Sequence, residues 1–88
     1  MHSVVVRVTI KDFDPAFKAL HEEVVPRVSQ APGFVAGYWL QPEEDKGMAL
    51  IVFESEDAAK NAAEQARANV PPPVTMDSIE VREVVAHA

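Results

Sequence analysis

The chain has no cysteine, few glycines and one tryptophan beside one tyrosine in its 88 residues. Without cysteine there is no disulfide scaffold and no thiolate metal site. Basic residues are scarce too: eight Lys and Arg against fourteen Asp and Glu leave a formal charge of −6, which disfavours nonspecific attraction to nucleic acid or an anionic membrane. Long apolar runs are also missing. Val4-Val5-Val6 and the run Met48 to Phe53 fall far short of a bilayer span, and the first residues carry no signal-peptide h-region, so a cytoplasmic protein is expected. What is present is globular in balance, 48% hydrophobic and 25% charged. A mass of 9.6 kDa points to one domain over residues 1–88. A folded monomer of that size keeps roughly 5,000 Å² of the roughly 14,000 Å² its unfolded chain exposes. Cores this thin are commonly supplemented by oligomerisation.

Periodicity supplies the elements. Ser3 to Lys11 alternates, with Val4, Val6, Val8 and Ile10 on one face and Val5, Arg7 and Thr9 on the other, the pattern of a strand. Asp14-Pro15 reads as the start of a helix in which Phe17, Leu20, Val24 and Val28 share a face, while Pro26 predicts a kink or early stop near Val25. Pro32-Gly33 ends it and Phe34 to Leu40 reads as a second strand. An acidic turn follows, with Gly47 suited to positive φ. The run Met48 to Phe53 suits a central strand buried on both faces. Ser55-Glu56-Asp57 caps a second helix through Ala68, the Pro71 to Pro73 run stops it, and Val74 to Val85 is the last strand. The order β-α-β-β-α-β predicts a ferredoxin-like α+β sandwich with antiparallel sheet order 4-1-3-2. Two helices cover one sheet face only. The other carries Val5, Arg7, Thr9, residues such as Val35 and Trp39, one apolar row of the third strand, and Glu80 with Arg82. Such a patch predicts a homodimer in which two sheets pack face to face.

Few residues are left to carry chemistry. Tyr38 and Trp39 are adjacent, so in a strand they face opposite ways; one of them is a candidate to line a small-molecule pocket, the other reading being plain packing. On the wheel His21 falls about 40° from Phe17, inside the apolar arc, where it would serve as acid, base or ligand donor; a place at the wet edge is the alternative. Arg7 and Arg82 on neighbouring strands would grip an anion or, more simply, form an ion pair with Glu80. Ala59, Ala62, Ala63 and Ala66 share one helix face, fitted either for close packing or for leaving a void beside the sheet. The three histidines are too scattered for a metal set, and phosphate loops and nucleophile elbows are absent, so neither a metal nor another cofactor is expected.

The segment Ala31-Pro32-Gly33-Phe34-Val35-Ala36-Gly37-Tyr38-Trp39-Leu40, the acidic turn, and Met48 to Ala59 with its Phe53-Glu54-Ser55 junction together resemble the small dimeric α/β-barrel proteins of the antibiotic biosynthesis monooxygenase type. The closing strand Ile79 to Val85 extends the resemblance over nearly the whole chain. It implies a pocket between sheet and helices and, in members that oxygenate anthrone-like or quinol substrates, a reaction with dioxygen that needs no metal or flavin. Tryptophan, asparagine and histidine line such pockets. Here Trp39 stands at a matching position, whereas Asn61 and Asn69 belong to the second-helix region. The resemblance therefore implies a monooxygenase-like role on a small aromatic or quinol-like substrate, with Trp39, Tyr38, His21, Arg7 and Arg82 as candidate binding residues. The alternative is a non-catalytic small-molecule-binding or stress-associated barrel protein.

Overall fold

A computed structural model describes residues 1–88. Four antiparallel strands, β1 (His2–Ile10), β2 (Phe34–Trp39), β3 (Lys46–Phe53) and β4 (Val74–Glu83), form one sheet in the order β2-β3-β1-β4. This is the expected 4-1-3-2 arrangement counted from the other edge. Helices α1 (Phe13–Ala19), α2 (Val25–Ser29) and α3 (Glu56–Ala68) all lie on one face. The fold is the ferredoxin-like α+β sandwich.

The core follows from strand pairing. β1 sets Val4 opposite Ile51 of β3 and Val81 of β4, and Val6 opposite Ala49 and Ile79, so one row of alternate residues crosses the sheet. This row meets Ala59 and Ala63 of α3, both buried, and Phe53 at 0% exposure meets Phe34 edge-on at 6.2 Å. Alanine's short side chain lets α3 approach closely, and its cap is the expected one: the Ser55 hydroxyl accepts from the Ala58 N–H at 3.1 Å. Gly33 adopts φ 80°, and a Cβ there would stand 2.8 Å from that of Ala58. The residue that turns the chain into β2 therefore also has to be the smallest, because α3 begins against it.

Several local expectations are corrected. The first helix starts at Phe13, with Asp12 in the extended N-cap position and Pro15 in the first turn, where the N–H it lacks has no helical partner in any case. Pro26 does not end the helix. Ahead of it Leu20–Val24 form a π-helical turn, in which the Val25 N–H bonds to the Leu20 carbonyl, and α2 continues through Ser29. A wider turn relieves the crowding that a proline ring imposes on the carbonyl four residues earlier, here Glu22. Positive φ falls at Glu44 (53°), inside a tight turn closed by reciprocal Glu43 and Lys46 backbone bonds, while Gly47 is part of β3. A Cβ on Gly47 would meet Val8 at 3.0 Å, so closeness to β1 is what calls for glycine there. Finally, β3 is covered on one side only: Ala49, Ile51 and Phe53 are buried, Met48 and Leu50 exposed.

Candidate functional site

A cavity of about 430 Å³ separates the helices from the sheet. It exists because of residue size and helix placement. α2 packs on β2 and α3 on β1, β3 and β4, whereas α1 stands farther off. Among the sheet residues that line the gap Gly47 and Ala49 are the small ones, and α3 contributes Ala58, Ala62 and Ala66 at intervals of four. Larger apolar side chains then form the walls, among them Val6, Val8, Ile10, Leu20, Val24 and Ile51. Close-packed interiors seldom leave gaps much larger than a water molecule, and ligand pockets commonly measure about 300–1,000 Å³. The void belongs to the second category. Of the two uses open to the alanine face, Ala59 and Ala63 serve close packing and Ala62 and Ala66 border the void.

Trp39 lies on the cavity wall and Tyr38 on the other side of the sheet. A bulge decides this. Phe34 pairs with Phe53 but Ala36 pairs with Val52, so Val35 is an extra residue and the alternation of β2 is reset by one place. Phe34 and Trp39 consequently share the helix side even though five positions separate them, and the open-face position expected for Trp39 passes to Tyr38. The indole extends back over Gly37, where a Cβ would lie 2.8 Å from two atoms of its six-membered ring. Gly37 thus gives Trp39 the room it occupies.

The other candidates lie elsewhere. His21 is exposed and does not line the cavity. The arc that does so runs through Ala16, Leu20, Val24 and Val28, and the π turn interrupts the 100° increment that placed His21 within it. Arg7 and Arg82 are brought together, but on the open face, where they bracket Glu80. Arg7 Nη1 donates to Oε1 at 3.2 Å, and Arg82 Nε and Nη2 donate to Oε2 at 3.3 and 3.2 Å. The Arg7 hydrogen bond first, then that of Arg82, holds the Glu80 carboxyl below its ordinary value of 4.5. On the same face Lys46 Nζ donates to Thr9 Oγ1, which donates to Asp77, both at 2.7 Å. Beside this polar half lie Tyr38, Met48 and Leu50, all exposed.

Polar groups at the cavity are few: four amides and one arginine. Asn61 and Gln65 of α3 and Asn69, its C-cap, follow one another at intervals of four beside the alanine row, with Arg27 of α2 and its C-cap Gln30 on the other side. No histidine, carboxylate or lysine lines it. The wall supplies hydrogen bonds and apolar contact, and no side chain that takes up a proton near neutral pH. Sequence reasoning passed over Asn61 as a helix residue and paired Arg27 with Glu23, four residues earlier, on the outer side of the helix; the structure corrects this, for the two form no salt bridge and Arg27 lines the cavity. The signal for the amides was present as a spacing of four beside the alanines.

No family model matches the chain, and no curated protein matches it. Among solved structures, the heme-degrader MhuD from Mycobacterium tuberculosis, with two hemes bound in its active site, matches with a TM-score of 0.58 at 24% identity, covering 97% of this chain and 98% of that one. The chain shares the fold of that structure over nearly its whole length. The resemblance carried by Ala31 to Leu40 and Met48 to Ala59 therefore holds for the architecture, and the cavity lies between helices and sheet, where that resemblance implied a pocket. No helix is long and apolar enough to cross a membrane, and no group of three or more His, Asp or Glu side chains is placed to hold a metal ion.

Proposed function

We propose that residues 1–88 act as one cytoplasmic domain that binds a small, flat aromatic or quinol-like molecule in the cavity between helices and sheet, and oxygenates it without a bound cofactor. The observation that carries this reading is the cavity itself: about 430 Å³, apolar on its floor and walls, with Trp39 on one side and an amide stripe at its edge. Trp39 would supply aromatic surface, and the Asn61 or Gln65 amide would donate a hydrogen bond to a substrate oxygen. In such a reaction a methylene between two aryl rings becomes a carbonyl. Two C–H bonds break, dioxygen accepts four electrons, one oxygen atom enters the product and the other leaves as water. Because no side chain able to accept a proton lines the cavity, the substrate must be acidic enough to give its proton to water, and the hydrogen-bonded enolate is the species that meets oxygen.

MhuD binds heme, but the residues of this chain do not fit that group. Heme iron is held by histidine, cysteine or tyrosine on its proximal side. Here His2, His21, His87 and Tyr38 all lie off the cavity, and cysteine is absent.

A carrier that binds without turnover is the second reading, favoured by the same lack of a proton-accepting side chain. Oxygen uptake with anthrone separates the two. An oxygenase raises uptake above the protein-free rate and loses at least about tenfold of that excess in Trp39→Ala, whereas a carrier shows a ligand-dependent rise in Tm and no uptake above background.

The same reading includes a homodimer built on the open sheet face. Support comes from the exposed Tyr38, Met48 and Leu50 there, and from a surface of 5730 Å² for the single chain, larger than the roughly 5,000 Å² typical of its mass.

A further inference from the structure

The cavity has one charged side chain on its lining, Arg27. Acids outnumber bases fourteen to eight in this chain, and the cations that pair with a carboxylate within 4 Å lie on the sheet or α3: Arg7 and Arg82 with Glu80, Lys60 with Glu56, and His2 with Glu56. Arg27 has no carboxylate partner and makes no side-chain hydrogen bond to the protein. The acids of its own helical region, Glu22 and Glu23, do not line the cavity. Arg27 is exposed and belongs to the cavity lining, so its donors are free for an anion held at the cavity's edge. The other polar groups at the edge, Gln30, Asn61 and Gln65, are amides with donors to offer and no charge to repel an anion.

We propose that the cavity selects an aromatic monoanion, its ring system inside against Trp39 and Ala62 and its anionic oxygen at the edge against Arg27. This rests on the reading that the cavity binds a small aromatic molecule, and adds which one of two otherwise equal shapes it takes. A neutral isostere would fill the same apolar volume but leave Arg27 unpaired, so preference between the two resides in that one residue. The anionic form is also the one the proposed oxygenation needs, since an enolate or phenolate carries its charge on an oxygen.

The chain's single tryptophan is on the cavity wall, so its fluorescence reports occupancy without a label. Anthraquinone-2-carboxylate and its uncharged carboxamide, titrated separately into the protein at low salt, have nearly the same shape and differ in charge. The carboxylate is expected to quench Trp39 with about tenfold higher affinity, the size of one charge-assisted hydrogen bond near solvent. In Arg27→Gln the gap should shrink to within about twofold; Arg27→Lys should restore part of it, and Arg67→Gln, a helix cation off the cavity, should leave it intact. Equal affinity for the two probes in the unmodified protein, or a gap that survives Arg27→Gln, overturns the charge selection while leaving a binding cavity in place. Failure of both probes to quench Trp39 overturns the cavity reading together with it.

Discussion

The two faces of the sheet are built from the same strands and have opposite fates. Along β3 the buried row Ala49, Ile51 and Phe53 alternates with Met48, Leu50 and Val52, equally apolar in type. α3 covers the first row down to 0% exposure at Phe53, while Leu50, one pleat away, is 38% exposed. What separates the rows is therefore the second layer and not the strand's own hydrophobicity. The covered side also divides in two. Where Ala59 and Ala63 of α3 meet Val4 and Phe53 the packing closes, and where Ala62 and Ala66 border the space under α1, which stands off the sheet, it leaves the cavity.

Substitutions on the two faces sharpen that contrast. Phe53→Ala should cost the most, about 3–5 kcal/mol, read as a fall in the urea midpoint at unchanged m-value. A loss below about 1 kcal/mol would mean that the covered row is not the core. Leu50→Glu should alter unfolding of the single chain by about 1 kcal/mol or less. If the open face is where two copies meet, the same change halves the mass measured by light scattering at micromolar concentration. An unmodified chain already monomeric there removes the dimer.

Gly37→Ala probes the cavity side of β2. The added methyl meets the Trp39 ring at 2.8 Å, so the ring has to swing; a destabilisation of about 1–2 kcal/mol is expected, with a shift in tryptophan emission. An unchanged spectrum would contradict the position of the indole over Gly37. The smallest effect belongs to Glu80→Gln. Since the folded state holds Glu80 below its ordinary value of 4.5, its ion pairs stabilise the fold at pH values above that point. The contribution disappears as pH falls through the lower, folded-state value. The stability difference between the two proteins should be level near neutrality and vanish in acid. A difference that grew on acidification would have the wrong sign.

Much of this was legible locally. The Ser55 cap, the Gly33 turn and the alternation of β1 depend on neighbours in sequence, and together with the order of elements they led to the sheet order that is observed. The side chains at the site were less legible. Trp39 was one of two candidates until the bulge at Val35 turned it inward, and His21 left the apolar arc because the helix passes through a π turn before Pro26. Arg27 is one of several arginines in sequence, and stands apart only because the fold places it on the cavity lining.

By itself, then, the sequence determined the succession of strands and helices, the alanine face of α3, and the presence of more apolar strand surface than two helices can cover. The tertiary structure alone decided which aromatic enters the cavity, that the cavity remains open, and which cation borders it. The physical reason is common to all three. Alternation in strands and the helical repeat are local periods, and one inserted residue resets either of them. Whether the insertion is tolerated depends on the partner strand and on the packing above it, which are remote in sequence.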